Sequence, residues 1–163
     1  MRNANSIIQK ISTLEKIQLQ VNRWKLLGKK IVFTNGVFDI LHEGHIASLS
    51  SAASFGDVLI VGVNADSSVK RLKGDSRPIN NQDARALLLA SLVITDAVII
   101  FEEDTPLNLI QHIMPDVLVK GGDYTIEQIV GAKEVTANGG EVKIVPLVEG
   151  ISTTAIIQKI ATS

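Results

Sequence analysis

Apolar positions alternate along the chain between a helical and an extended rhythm. Leu14, Ile17, Val21, Trp24 and Leu27 lie at helical spacing behind the capping-box pattern Ser12-Thr13-Leu14-Glu15 and ahead of Gly28. They predict a lead-in helix, packed through Trp24, with a loose tail before it. Lys30-Ile31-Val32-Phe33-Thr34 then reads as a buried strand ending in the turn Asn35-Gly36. A helix is expected from about Gly44 to Phe55, and Asp57 to Val63 is a strand apolar along its whole length, as parallel strands covered on both faces are. The alternation continues with a helix over Gln82 to Leu92, a strand over Ala97 to Phe101 and a helix opened by Asp104-Thr105-Pro106 and closed before Pro115. Val117 to Lys120 is a strand, Ile126 to Ala137 a helix, Val142 to Val145 the last strand, and Ser152 opens a closing helix. The expected architecture is α/β, a doubly wound, mainly parallel sheet in one domain over residues 29–163, with residues 1–28 as lead-in tail and helix. Asp66 to Asn80 is the one long irregular stretch, and loops of that length are commonly functional.

Composition narrows the chemistry. The chain has 163 residues, 45% of them hydrophobic, which suffices for one compact core and not for two ordinary domains. With 16 Lys plus Arg against 17 Asp plus Glu, the net charge of -1 creates no field to collect nucleic acid or an anionic membrane. A small, locally bound anion fits better. The absence of cysteine removes disulfides, thiolate zinc sites and a cysteine nucleophile. No apolar signal core or membrane-length run is present, so a cytoplasmic protein is expected.

Four constellations carry candidate chemistry. Open parallel sheets bind ligands where strands end, so Thr34-Asn35-Gly36-Val37-Phe38-Asp39-Ile40-Leu41-His42-Glu43-Gly44-His45 stands first. It matches neither dinucleotide nor P-loop fingerprints, and the histidine spacing is not that of the helical zinc proteases. It does set His42 and His45 on one side of a first helical turn, with Gly44 between them leaving room for a ligand beside free amides that favour phosphate. The second is Glu149-Gly150-Ile151-Ser152-Thr153-Thr154, where three hydroxyls at a helix N-terminus can bind phosphate oxygens, although an ordinary cap needs only Ser152. The third is the basic stretch Lys70, Arg71, Lys73 and Arg77, with Arg85 beyond it; Gly74 and Pro78 hint at a hinged flap that could clamp phosphates. The fourth is Lys120-Gly121-Gly122-Asp123-Tyr124, where paired glycines permit close approach and Asp123 and Tyr124 could bond sugar hydroxyls.

From about Ser12 to Ile160 the sequence resembles the H-x-G-H nucleotidyltransferase superfamily, and within it the adenylyltransferase domain of the bifunctional heptose kinase/adenylyltransferases that make ADP-heptose for lipopolysaccharide. The similar segments are Thr34 to His45, Val69 to Gly74, Arg77-Pro78, Phe101 to Pro106, Val119 to Tyr124 and Ser152 to Thr154. The resemblance implies a Rossmann-like nucleotidyltransferase fold, ATP as donor with Mg²⁺, and D-glycero-β-D-manno-heptose 1-phosphate as acceptor. It assigns His42 and His45 to the triphosphate, Ser152, Thr153 and Thr154 to the β- and γ-phosphates, and Lys73 and Arg77 to phosphate contacts. Thr34, Asn35, Gly36, Phe38 and Gly44 fall on its nucleotide side. Asp39, Lys120, Gly121 and Asp123 fall near the sugar phosphate, and no residue is singled out as metal ligand. The kinase half is not in this sequence, so a separate heptose kinase is expected to act upstream. A homodimer suits a small domain of this kind.

A sugar phosphate is already an anionic nucleophile, so the expected mechanism is in-line displacement at the α-phosphate by positioning and charge neutralisation, without a covalent intermediate. Three other readings use the same residues: a cytidylyltransferase or other nucleotidyltransferase acting on glycerol phosphate or another phosphorylated alcohol, a nucleotide sensor without turnover, and a tRNA-charging relative. The last is disfavoured by the short, slightly acidic chain.

Overall fold

The computed structural model describes residues 5–148 and 150–162. Its strands are β1 (Ile11–Ser12), β2 (Ile31–Gly36), β3 (Val58–Asn64), β4 (Ala97–Phe101), β5 (Val117–Gly121) and β6 (Glu141–Val145). All neighbours are parallel, in the order β1-β4-β3-β2-β5-β6. The helices are α1 (Asn5–Gln9), α2 (Leu14–Leu26), α3 (Glu43–Ala53), α4 (Asp66–Lys73), α5 (Gln82–Ala90), α6 (Leu107–Ile113), α7 (Ala132–Ala137) and α8 (Thr153–Ala161). No helix among the described residues is long and apolar enough to cross a membrane.

Strand side chains alternate between two cores, as the pleat requires. Ile31 and Phe33 of β2 join Ile17, Val21, Leu109, Ile110, Ile113 and Val135 from α2, α6 and α7 on one face. Val32 joins Leu49, Ala52, Ala86, Leu89 and Ala90 from α3 and α5 on the other. The doubly wound expectation therefore holds. At the N-terminal edge one device recurs: Asp57, Asp96 and Asp116 each precede a strand, and each carboxylate accepts a backbone amide at the start of the neighbouring strand, from Lys30, Leu59 and Ile31 at 2.8, 2.8 and 2.7 Å. These acids fix register at the end of the sheet away from the ligand-binding edge.

Several elements differ from the sequence reading. Ser12 is not a helix cap. It lies in β1, which pairs with β4 and extends the sheet, while Thr13 caps α2 through the Lys16 amide. Asp66 to Lys73 is helical rather than irregular, leaving only the segment before Asn81 as loop. The helix expected over Ile126 to Ala137 is split into a 3-10 turn at Ile126–Gln128 and α7, because Gly131 takes a left-handed φ of 86° between them.

From β2 the chain winds outward to β3 and β4, then returns to β5 on β2's other side. The strand ends of β2 and β5 consequently diverge, opening a crevice at the topological switch point where doubly wound sheets bind ligands.

Candidate active site

Two adjoining clefts occupy that crevice. The first, about 300 Å³, is lined by Thr34 to Phe38 after β2, by His42, Gly44, His45 and Ser48 at the start of α3, by Lys73, Lys120 and Gly121, and by Ser152, Thr153 and Thr154 at the start of α8, with Leu147, Val148 and Ile151 completing the wall. The second, about 420 Å³, shares Asn35, Gly36, Val37, Lys73 and Lys120 with the first and adds Asn64, Leu72, Asp104, Thr105, Pro106, Tyr124 and Gln128.

His42 is the N-cap of α3, and the His45 amide donates to its carbonyl at 2.9 Å, so one helical turn holds the pair together. The rings stack with centroids 3.8 Å apart and 24° between planes. Both Nδ1 atoms are buried with no hydrogen-bond partner. Burial is the main reason both imidazoles have lowered pKa values. His45 falls to about 4, with His42 and Lys73 adding positive charge nearby. At neutral pH both rings are uncharged and able to donate one N–H each.

The clefts sort the basic residues by partner. Arg71 Nε donates to Asp104 at 2.7 Å, Arg77 Nε to Asp39 at 2.7 Å and Arg85 Nη2 to Asp66 at 2.7 Å. Lys73 and Lys120 pair with no carboxylate among the described residues, and both line both clefts. Burial lowers the Lys120 pKa, and its ammonium lies 5.8 Å from the Tyr124 ring centroid. Lys70 is exposed and lines neither cleft.

At α8, Ser152 caps the helix by accepting the Ala155 amide at 3.1 Å, while Thr153 and Thr154 face the first cleft beside it. Glu149 lies outside the described residues. Most of the residues that the resemblance assigned to the site thus converge, but three do not. Asp39 is buried, with its carboxylate taken up by Arg77 and by the Ile79 and Asn80 amides at 2.8 and 2.9 Å. Burial alone would raise its pKa. The two amide bonds and the Arg77 contact outweigh that and hold it low. Arg77 is correspondingly occupied, and Asp123 is exposed outside both clefts.

Sequence reasoning passed over Ser48, Asn64 and Gln128. Ser48 had a detectable signal, lying one turn beyond His45 on the same helix. Asn64 ends β3 and donates to Ser68 at 3.1 Å, a position visible only once strand order is known. Among the described residues the first cleft is lined by no carboxylate, and no group of three or more acidic or histidine side chains could hold a metal ion. The donor set does not fit a resident metal.

A doubly wound sheet with a histidine pair, a hydroxyl-bearing helix start and two free lysines at its switch point defines a site for transfer at phosphate, and the cytidylyltransferase-like family model matches residues 33–159: the chain belongs to that family of nucleotidyltransferases. Among curated relatives it is similar to bifunctional protein HldE of Hyphomonas neptunium, 61% identical over 140 residues covering 86% of this chain and 29% of that protein. It is also similar to bifunctional protein HldE of Haemophilus ducreyi, 58% identical over 150 residues covering 92% and 32%. The chain spans about a third of the length of these relatives. Among solved structures, a lipopolysaccharide core biosynthesis protein from Thermoplasma volcanium aligns with a TM-score of 0.59 and 32% identity, over 74% of this chain and 97% of that one. A pantoate-beta-alanine ligase from Francisella tularensis, at 16% identity and a TM-score of 0.61 over 94% of this chain and 78% of that one, shares the fold.

Proposed function

We propose that the protein transfers AMP from MgATP to D-glycero-β-D-manno-heptose 1-phosphate, releasing pyrophosphate and ADP-heptose. The observation that carries this reading is the seam between the clefts, where Lys73 and Lys120 line both sides and neither forms an ion pair with a carboxylate among the described residues. An attacking phosphate and a nucleotide α-phosphate must meet between two such cavities, and that junction is where paired cations lower the barrier most.

The first cleft suits the nucleotide. Leu147, Val148 and Ile151 offer the base an apolar wall, and the α8 N-terminus with Thr153 and Thr154 suits the β- and γ-phosphates. The second suits a neutral polyol bearing one phosphate, since its cations lie only at the seam while Asn64, Asp104, Thr105 and Gln128 offer hydroxyl partners. A phosphate oxygen of the acceptor attacks the α-phosphorus in line, the bond to the bridging oxygen of the β-phosphate breaks, and pyrophosphate leaves with that electron pair. No proton needs to be removed from the nucleophile. His42 and His45 donate N–H groups to oxygens whose charge grows in the transition state, and Lys73 and Lys120 hold the two reacting phosphates together against their repulsion. Bound to the phosphates of ATP, Mg²⁺ would supply further charge neutralisation there.

Similarity to the HldE proteins and to the lipopolysaccharide core protein supports heptose among phosphorylated polyols. In that setting the protein acts in the cytoplasm, and its acceptor comes from a kinase that phosphorylates the sugar's anomeric hydroxyl. The second reading, a cytidylyltransferase on glycerol phosphate or a related alcohol, shares every catalytic group. Pyrophosphate release with heptose 1-phosphate, compared across ATP, CTP, GTP and UTP, separates the two: ATP alone is expected to react, and turnover only with CTP and glycerol phosphate would overturn the assignment. In the active pair, His45→Ala is expected to lose roughly 10²–10³ in kcat, the usual cost of removing one transition-state donor. Turnover near the wild-type rate would remove His45 from the mechanism.

A further inference from the structure

Arg85 is the largest side chain among those fully buried, and nothing in the proposed chemistry uses it. Its guanidinium spends three donors on three segments: Nε on the Asn80 carbonyl at 3.0 Å, Nη1 on the Val37 carbonyl at 2.6 Å and Nη2 on Asp66 at 2.7 Å. Asp39 makes the matching connection from the other side. Its carboxylate takes Arg77 and the Ile79 and Asn80 amides, while the Asn80 side chain donates to the Asp39 carbonyl at 2.6 Å. The residues on either side of Phe38 are therefore both tied to the same loop.

Phe38 itself has a φ of 50°, a left-handed conformation that is unusual for a bulky side chain and persists only where the surroundings impose it. Its ring meets the His45 imidazole edge to face, with centroids 5.3 Å apart and 61° between planes. His45 is thus held between Phe38 and the stacked His42 ring. The physical chain runs from Arg85 to the backbone around Phe38, and from the Phe38 ring to the imidazole.

We propose that Arg85 is a positioning residue: with the Asp39 connection opposite, it holds Phe38 in its left-handed conformation, and the Phe38 ring fixes the orientation of His45. The proposal rests on the reading of His45 as a transition-state donor. Planar fork geometry is what lets one side chain reach three acceptors, so lysine cannot replace it despite keeping the charge.

The test is a double-mutant cycle read as kcat and KM for ATP in pyrophosphate release. Arg85→Lys is expected to lower kcat by about tenfold or more while leaving KM for ATP within about twofold, since only orientation at the reacting centre is lost, and Phe38→Leu, whose ring also lines the nucleotide cleft, is expected to lower kcat by about as much. In the His45→Ala background the same substitutions are expected to cost nothing further, because residues acting through one group are not additive. An equal loss in both backgrounds overturns the proposal. Phe38→Leu leaves the Arg85 contacts intact and serves if Arg85→Lys does not fold. A second readout does not depend on the substrate: in an NMR titration the His45 imidazole, which shares its cleft with His42, Lys73 and Lys120, is expected to titrate at about 4 in the wild type and to move toward the ordinary histidine value in Phe38→Leu. An unmoved titration also overturns the proposal. If the wild type releases no pyrophosphate with any nucleotide, the functional reading has failed, and the titration alone decides the link between Phe38 and His45.

Discussion

Gly44→Ala isolates the geometry of the histidine pair with a single methyl group. Gly44 lies in the first turn of α3, and its φ is not among the positive values, so alanine fits the backbone and would gain about 1 kcal/mol of helix propensity. The added Cβ, however, would stand 3.0 Å from Nδ1 and 3.1 Å from Cε1 of His42. Contacts that close require the ring to shift by a few tenths of an ångström, and it cannot move freely because the His45 ring is stacked upon it at 3.8 Å. Overpacking of this kind costs about 1–3 kcal/mol, so the net change in stability is a loss of about 0–2 kcal/mol, too small to unfold the domain. Catalysis should suffer more. Misplacing a reacting group by about 1 Å can cost about 10²-fold, and a smaller shift of one donor is expected to lower kcat by about tenfold. Pyrophosphate release at saturating substrates measures the rate, and urea unfolding measures the stability. A variant with wild-type kcat would show that the His42 ring either relaxes without penalty or takes no part in the chemistry.

Further consequences follow from the same structure. Gly131→Ala must place a side chain at φ 86° and 2.6 Å from Cδ1 of the fully buried Ile110, so a loss of about 2–4 kcal/mol in urea unfolding is expected; a change below about 0.5 kcal/mol would contradict the packing described between α6 and α7. Ser152→Ala removes the cap of α8 and should cost about 1 kcal/mol while raising KM for ATP more than it lowers kcat; an unchanged KM would detach α8 from the nucleotide. The depressed pKa of His45 gives stability a sign with pH. Between about 6.5 and about 4 the unfolded state binds the proton that the folded state refuses, so stability falls as pH falls through that window and the loss is complete below it. The slope is bounded by about 1.4 kcal/mol per pH unit and reduced by the ring's partial exposure. His45→Asn should flatten the stability curve over this range, and an identical curve would refute the assignment.

The elements that could be read from sequence were those whose burial leaves a pattern. β3 is buried along its full length and α5 turns Ala86, Leu89 and Ala90 inward, so both stand out as apolar runs or periodic stripes. α4 left no such mark because only Ser68 and Val69 of its eight residues are buried, and its charged remainder looks like loop. β1 is two residues long, shorter than any period can show. The site divides along the same line. His42, His45 and the hydroxyls of α8 advertise themselves by position at helix starts. Asp39, Arg77 and Arg85 carry the side chains expected of phosphate or sugar contacts, yet Asp39 and Arg77 spend them on each other, and Arg85 on Asp66 and backbone carbonyls. Residue type alone cannot distinguish a charge offered to a ligand from one consumed within the fold. The distinction depends on which carboxylate comes within reach, and that is set by tertiary structure.

That division of charge also bears on how so small a domain would hold the several phosphates of the proposed reaction without a strongly basic surface. The overall charge is -1, and the arginines nearest the crevice are neutralised by Asp104, Asp39 and Asp66. Attraction for an anion therefore concentrates on two lysines at the seam, on neutral imidazoles and on helix-start amides, in a cleft with no acid among the described residues that line it. Charge placed this way acts over the short range where phosphates meet and is screened beyond about 10 Å at moderate salt. KM for the sugar phosphate should depend only weakly on ionic strength, while Lys120→Met should raise it sharply and slow turnover together, because Lys120 faces both cavities. A strong salt dependence combined with a mild Lys120→Met phenotype would mean that long-range charge, rather than the seam, brings the two phosphates together.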